Sequence, residues 1–254
     1  MAGILTSHSG LRADAKRYVM AGRGVVVDKS GRGDFMTVQD AVDYYVGRGV
    51  AGRIYIRAGT YYEKVVITNV VGSKKLIIEG ESWDTLIDGT GTGTFAIENY
   101  ATDALFKNLS IKTTGGEGAD DTALQFQNSG TYASCDNILI QGSDNNGISC
   151  ASSWGFANNC DIQGTIDSSG IRLGISNWII TSCRVQSAGA DGIHATNSGS
   201  NTIMVANQIA NTGTDAIELN ATAENCVVVA NRTNGEAIDD NSGTSTVTGN
   251  NENA

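Results

Sequence analysis

Proline is the residue that this chain most clearly lacks. None occurs among its 254 residues, although an average composition of about 5% would supply about a dozen. Its absence excludes proline-rich linkers and polyproline recognition segments. Because collagen needs proline beside its glycine, the 32 glycines do not indicate a triple helix.

Long apolar runs and an excess of basic residues are also missing. No apolar stretch approaches the roughly 18 residues of a membrane span, so no membrane partner is expected. The net charge is −10 with only 17 Lys and Arg, which argues against nucleic acid because phosphate binding needs clustered positive charge. Residues 1–23 form a polar arm without an apolar segment of signal-peptide length. This arm predicts a cytoplasmic or virion-associated protein unless a signal has been removed.

Disorder and a disulfide framework are excluded by composition as well. The chain is 40% hydrophobic and 17% charged, whereas disordered chains combine low hydrophobicity with high charge. Five cysteines are too sparse, and odd in number, for a secreted disulfide scaffold. They are predicted to be buried thiols.

A repeat of 21–24 residues is the most informative feature that is present. Short β-branched segments form a second track between its copies, at residues 137–140, 160–162, 183–185, 203–205 and 227–229. Each unit thus holds at least two short strands and no helix, which predicts a single-stranded right-handed parallel β-helix, an all-β solenoid, over residues 24–254. The repeat is marked by a small residue before Leu or Ile, at Ala123-Leu124, Gly147-Ile148, Gly170-Ile171, Gly192-Ile193, Ala216-Ile217 and Ala237-Ile238.

The spacing of other residues agrees with a solenoid. Cys135, Cys160 and Cys183 lie one coil apart and Cys226 two coils further on, which predicts an interior cysteine ladder. A capping box at residues 37–40 predicts a short helix over about 37–46 that covers the first coil. The last coil shows no cap, so its open edge is predicted to contact a partner subunit, as in a trimer.

Three segments resemble the pectinesterases, the plant and bacterial pectin methylesterases. They are residues 26–42, the G-x-Y-x-E signature at Gly59, Tyr61 and Glu63, and residues 159–167. The resemblance spans about residues 24–185. It implies a pectin-lyase-like right-handed β-helix with a polysaccharide or other glycan as partner and no cofactor.

The catalytic motifs of that family are altered here. The resemblance implies two catalytic aspartates, an arginine and glutamines, but its Q-A-V-A-L motif becomes residues 120–124 and loses the glutamine. Its Q-D-T-L motif falls at residues 145–148, so the aspartate is replaced by Asn146, which cannot transfer a proton as a carboxyl does. The aspartate of G-T-V-D matches Asp167, although the repeat register puts Ser169 at that place. The later arginine–tryptophan motif is absent, and impaired methylesterase activity is therefore predicted.

The repeat also predicts a candidate binding surface. If the Leu and Ile side chains point inward, the small residues before them and the polar residues after them point outward. We expect the small residues to form a flat floor for an extended ligand, with Arg172, His194, Glu218 and Asp239 as binding residues; a plain solvent-facing surface is the alternative. Trp83, Trp154 and Trp178 can stack on sugars, although Trp178 falls in a predicted strand. The outer row predicted in this way is Gln125, Ser149, Arg172, His194, Glu218 and Asp239.

An acidic row is predicted beside this surface. Asp191, Asp215 and Glu236 share one repeat position, and carboxylates stacked about 4.8 Å apart would raise one another's pKa. Such groups can supply an acid and a base for glycoside hydrolysis or bind a cation; they can also be plain solvent-facing turn residues. Although no metal is predicted, Asp167, Asp191 and Asp215 are the catalytic candidates.

Two functions follow from these observations. The first is a carbohydrate-engaging, catalytically impaired β-helix protein, of the kind found as structural or polysaccharide-binding tail spikes on virions. The alternative is an active pectin or uronate esterase, hydrolase or lyase that uses Asp167 or the Asp191–Asp215 pair. Two outward carboxylates about 5–10 Å apart in a groove would favour the enzyme.

Overall fold

The chain forms a parallel β-solenoid in which successive coils stack strand on strand, as a computed structural model shows. The predicted all-β, parallel β-helix architecture is confirmed. The predicted polar arm at residues 1–23 lies outside the described residues. The structure describes residues 24–68, 75–92, 94–101, 103–114, 121–127, 132–165, 167–196 and 199–252.

Each complete coil contributes one strand to each of three faces, whereas the repeat predicts at least two strands in each coil. The first and second faces belong to one 17-stranded sheet, because two long strands run through both, and the third is an 8-stranded sheet. The first face consists of β1 (Val25–Val27), β2 (Gly52–Ile56), β5 (Leu76–Gly80), the first parts of β8 (Ala104–Thr113) and β10 (Ala133–Ser143), β12 (Gly155–Asn158), β15 (Trp178–Thr181), β18 (Ile203–Val205), β21 (Val227–Val229) and β24 (Thr246–Thr248). The second face consists of β3 (Gly59–Tyr62), β6 (Thr85–Asp88), the second parts of β8 and β10, β13 (Asp161–Thr165), β16 (Arg184–Ala188), β19 (Gln208–Ala210), β22 (Arg232–Thr233) and β25 (Asn251–Glu252). The third face consists of β4 (Val65–Ile67), β7 (Phe95–Asn99), β9 (Thr122–Phe126), β11 (Ile148–Cys150), β14 (Ile171–Leu173), β17 (Ile193–Ala195), β20 (Ile217–Leu219) and β23 (Ile238–Asp240).

The second track of β-branched segments divides between two faces. Val185 of β16 pairs with Ile209 of β19, whereas Met204 of β18 pairs with Ile180 of β15. The expectation that residues 203–205 and 227–229 continue the track of 160–162 and 183–185 is therefore wrong. The first and second faces meet at short corners with a left-handed residue, such as Ser182 at φ 55°, so the two tracks lie close in sequence and resemble each other in composition.

The Leu and Ile residues of the repeat form the core side of the third face. Leu124 pairs with Ile148, Ile148 with Ile171, and the same register continues through Ile193 and Ile217. All five side chains are fully buried. The apolar row read from the repeat is thus the row that closes the solenoid interior.

The small residues before them do not form an outward floor, and that expectation is wrong. Ala123 and Ala216 are fully buried, and a Cβ added to Gly170 would lie 2.3 Å from Cγ1 of Val185. These residues occupy the corner between the second and third faces, where strand alternation does not apply. They are small because the second face packs against them.

All five cysteines are free and buried, as their spacing predicted. Cys160 and Cys183 occupy equivalent positions directly before paired residues of β13 and β16. The Sγ atoms of Cys160 and Cys135 lie 3.8 Å apart, but Cys135 pairs with Ala157 on the first face, so the expectation that it shares their register position is wrong. Cys226 precedes β21 on the first face, so the expectation that it extends this ladder is wrong.

Asparagines continue the row that Cys160 and Cys183 begin. The backbone N–H of Cys183 donates to Oδ1 of Asn207 at 2.9 Å, that of Asn207 to Oδ1 of Asn231 at 3.0 Å, and that of Asn231 to Oδ1 of Asn250 at 2.8 Å. Nδ2 of Asn231 donates in turn to the carbonyl of Met204 at 3.0 Å. The ladder links the last coils by satisfying backbone groups at their corners.

Helix α1 (Val38–Val46) covers the first coil and confirms the predicted cap. The Thr37 hydroxyl accepts from the Asp40 N–H at 3.2 Å. Glu63, from the G-x-Y-x-E signature, accepts from the N–H groups of Val38 and Gln39 at 2.8 and 2.9 Å. Among the described residues, no helix has the length and apolar character needed to cross a bilayer.

Candidate functional site

The predicted outer row is continuous along the third face. Arg172 pairs with His194, His194 with Glu218, and Glu218 with Asp239, while Ser149 precedes Arg172. Arg172 is exposed, and His194, Glu218 and Asp239 are partly buried. The β-strand register therefore aligns one cation, one imidazole and two carboxylates along the solenoid axis.

His194 lies at the centre of a polar cluster. Its Nδ1 is 3.5 Å from Oδ2 of Asp191, and its Nε2 is 3.3 Å from Oε2 of Glu218. The side-chain amide of Asn220 hydrogen-bonds Nε2 across 3.1 Å. Strand β20 supplies Glu218 and is followed by Asn220, so both approach the imidazole from the next coil.

Asp191 is held in a fixed position by the turn of the following coil. It is only 5% exposed, and its Oδ1 accepts from the hydroxyl of Thr214 and from the backbone N–H of Asp215 at 3.3 Å. Its other oxygen faces His194. The carboxylate is thus oriented before any ligand arrives.

Burial and like charge shift the pKa values of the cluster. Burial raises the pKa of Glu218, and the nearby carboxylates of Asp191, Asp215 and Asp239 add to that effect. Burial, Asp191 and Asp239 likewise raise the pKa of Asp215. The pKa of His194 is lowered because its burial, with a contribution from the Arg172 charge, outweighs the attraction of Asp191.

Glu236 does not join the acidic row. Its Oε1 accepts from the backbone N–H groups of Asn211 and Thr212 at 2.6 and 3.4 Å. These groups belong to the corner of the previous coil, so this oxygen of Glu236 is bound to the backbone there. The expectation that three acidic residues form one ladder is therefore wrong. Asp191 and Asp215 are the two members that lie at the third face.

Asn146 and Ser169, which the sequence comparison set against the two aspartates of the family, lie at the third face. Because Ile148 pairs with Ile171, Asn146 and Ser169 share one register position, and both are buried. Asp167 lies two residues before Ser169 and is exposed. The same register position is occupied by carboxylates one and two coils further along, at Asp191 and Asp215.

The three tryptophans differ in exposure and therefore in their ability to stack on a sugar. Trp178 is fully buried and packs on Phe126 with ring centroids 5.5 Å apart, so it belongs to the core. Trp154 is 48% exposed and stacks on Tyr132 at 6.3 Å between centroids. Trp83 is also partly exposed, and its Nε1 donates to a backbone carbonyl at 2.9 Å. Trp154 with Tyr132 therefore offers an exposed aromatic surface directly before the first-face strands β12 and β10.

Two residues of the cluster were not found from the sequence. Asn220 follows Glu218 by two positions, so strand alternation extended by one step would have placed it on the same side. Thr214 lies in a turn where no periodicity exists. Its contact with Asp191 depends on how two coils stack.

Comparison with known proteins identifies the family of this chain. The pectinesterase profile matches residues 24–231. The chain belongs to the pectinesterase family. The family resemblance read from the sequence is confirmed, and a search of curated proteins finds no match.

Solved structures of low sequence identity share the fold. A pectin methylesterase from rice weevil is 18% identical, with a TM-score of 0.53, over 92% of this chain and 87% of that chain. The Aspergillus niger pectin methylesterase is 17% identical, with a TM-score of 0.55, over 89% and 90% of the two chains. A pectin methylesterase variant in complex with a hexasaccharide is 16% identical, with a TM-score of 0.55, over 82% and 78%.

Proposed function

We propose that this protein binds a polysaccharide along the outer row of the third face and lacks pectin methylesterase activity. The observation that carries the proposal is the contrast between two parts of one face. The paired positions of the catalytic aspartates contain Asn146 and Ser169, whereas a continuous polar row remains at Arg172, His194 and Glu218. A related pectin methylesterase has been solved with a hexasaccharide, which supports a glycan as the ligand.

The outer row offers suitable contacts for a sugar chain. Arg172 is exposed, so its guanidinium can form paired hydrogen bonds with a uronate carboxylate. Partly buried His194 and Glu218 can bond hydroxyl groups on the next residues of the chain. Trp154, stacked on Tyr132, can pack against the apolar face of a sugar ring.

Loss of esterase chemistry follows from the side chains at the register position of the family pair. Ester hydrolysis in this family needs a carboxyl that passes a proton and a second that attacks or activates. Asn146 and Ser169 carry no ionisable proton near neutral pH. Asp167 is the remaining motif aspartate, but it is exposed and displaced from Asn146 by two residues in register.

Self-association is part of the proposal, as in a trimeric tail-spike-like protein. Ile179, Ile203 and Val227 form an exposed apolar row on the first face, 36–44% exposed. Light scattering should detect a trimer, and a protein that stays monomeric at high concentration would remove this part.

The glycan proposal is tested by polysaccharide titration together with a methanol-release assay. We expect saturable binding to at least one glycan in a panel of pectins, polygalacturonate, alginate and neutral polysaccharides, without methanol release. Arg172→Ala should weaken binding of uronate polymers by about tenfold, since a charge-assisted hydrogen bond contributes about 1.5–3 kcal/mol. The matched control, Arg184→Ala on the second face, should leave affinity unchanged.

Other outcomes decide against the proposal in different ways. No binding to any glycan would remove the binding function. Methanol release by the unmodified protein that Asp167→Asn abolishes would instead establish the alternative, an active esterase. Polymer cleavage that Asp191→Asn or Asp215→Asn abolishes would establish an active hydrolase or lyase.

A further inference from the structure

We propose that Asp191, His194 and Glu218 form a binding site for a divalent transition-metal ion. One side-chain atom from each, an imidazole nitrogen and two carboxylate oxygens, lies within 4.8 Å of the others. The site does not depend on the proposed glycan function, and it differs from the acidic row because its central ligand is a histidine.

The distances suit a small ion. Three atoms no more than 4.8 Å apart can all lie within about 2.8 Å of one point, and zinc–nitrogen and zinc–oxygen bonds are about 2.0–2.2 Å. Two ligands of a tetrahedral ion are therefore about 3.3 Å apart. Nε2 of His194 is 3.3 Å from Oε2 of Glu218, and Nδ1 is 3.5 Å from Oδ2 of Asp191. Because only one ring nitrogen binds the ion, side-chain rotation has to bring one of the two carboxylates closer to that nitrogen.

The surroundings hold the ligands in place. Thr214 and the backbone of Asp215 fix one oxygen of Asp191, which leaves the other directed at His194. Groups around metal ligands that fix their orientation commonly change metal affinity by about 10–100-fold.

The local charge favours a cation. Asp191 and Glu218 bring two carboxylates to the imidazole, and the neighbouring Asp215 and Asp239 add negative potential. Arg172 is the cation of this row, and it is exposed on the preceding coil. A bound divalent ion would offset the repulsion between the buried Asp191 and its neighbour.

The ligand set indicates which ions bind. Imidazole with carboxylates suits Zn²⁺, Mn²⁺, Fe²⁺ and Co²⁺, whereas Ca²⁺ takes about 6–8 oxygen ligands. The side chains of His194 and Glu218 are 22% and 25% exposed, so water or a further ligand can reach the ion. We infer that Zn²⁺ binds more tightly than Ca²⁺.

The test is calorimetric titration of the full chain with Zn²⁺ near pH 7.5, where imidazole is largely neutral. We expect one site per chain, binding at least about tenfold weaker for Ca²⁺, and a loss of at least about tenfold in Zn²⁺ affinity in His194→Gln and Glu218→Gln. The matched controls are His8→Gln, at the other histidine of the chain, and Glu224→Gln, at an exposed acidic residue. Circular dichroism and urea unfolding should show that each variant folds.

A second readout excludes binding elsewhere. Co²⁺ added to the unmodified protein should give a visible absorption band that His194→Gln removes. Absence of saturable Zn²⁺ binding, an affinity unchanged in both site variants, or a loss that occurs equally in His8→Gln would overturn the proposal. Glycan titration gives a separate result, so failure here leaves the proposed function standing.

Discussion

Replacing Gly170 with alanine tests the packing of the corner between the second and third faces. The added Cβ would lie 2.3 Å from Cγ1 of Val185 and 2.8 Å from the carbonyl oxygen of Gly192. Ordinary contacts between such atoms are about 3.5–4.0 Å. Because valine is stiff at χ1 and the carbonyl belongs to the next coil, relief requires the coils to move apart.

The expected decrease in the free energy of unfolding is about 3 kcal/mol, the upper end of the range for overpacking. For a domain of this size, that cost corresponds to a decrease in Tm of about 6–12 °C. Urea unfolding followed by circular dichroism measures the free energy. Gly174→Ala is the matched control, because its Cβ would lie 3.4 Å from the nearest atom, the carbonyl oxygen of Cys150, and it should change stability by less than about 0.5 kcal/mol.

A double-mutant cycle identifies the contact. Val185→Ala should be less destabilising by about 1 kcal/mol when alanine is already at position 170, because it removes the clashing methyl group. If Gly170→Ala is as stable as Gly174→Ala, the corner is open and the packing argument is refuted. Strict additivity of Gly170→Ala and Val185→Ala would refute the assigned contact.

Two further changes test polar contacts. Burial alone would raise the pKa of Glu79, but hydrogen bonds and charge from Arg53 and Lys107 outweigh it and lower the pKa; Glu79→Gln should therefore cost about 2 kcal/mol at pH 7. That difference from the unmodified protein should be lost as the pH falls through the lowered pKa of Glu79. Urea unfolding across pH measures it, and a constant difference would contradict the assignment. Asn231→Ala should lower the free energy of unfolding by about 2–4 kcal/mol because it leaves buried groups of the asparagine ladder unpaired. The control Asn234→Ala, at an exposed position, should be neutral in the same assay. Equal losses in the two variants would contradict the ladder.

The core of the third face could be read directly from the sequence. Leu124, Ile148 and Ile171 recur at coil spacing, and burial of an apolar side chain in every coil requires that spacing. The cap helix could be read as well, because the contact between Thr37 and the backbone of Asp40 spans three residues. Signals of this kind are local or strictly periodic.

Tertiary structure alone decided which way the corner residues face and which side chains meet. Gly170 was expected outward because alternation holds within a strand, but it lies just before β14, where the chain turns and the second face packs on it. Asp191 and Glu218 meet at His194 although they are 27 positions apart in the sequence. Periodicity aligns residues that share a register position; it does not show which neighbouring positions converge, because that depends on the corner geometry and on the contact of Thr214 with Asp191.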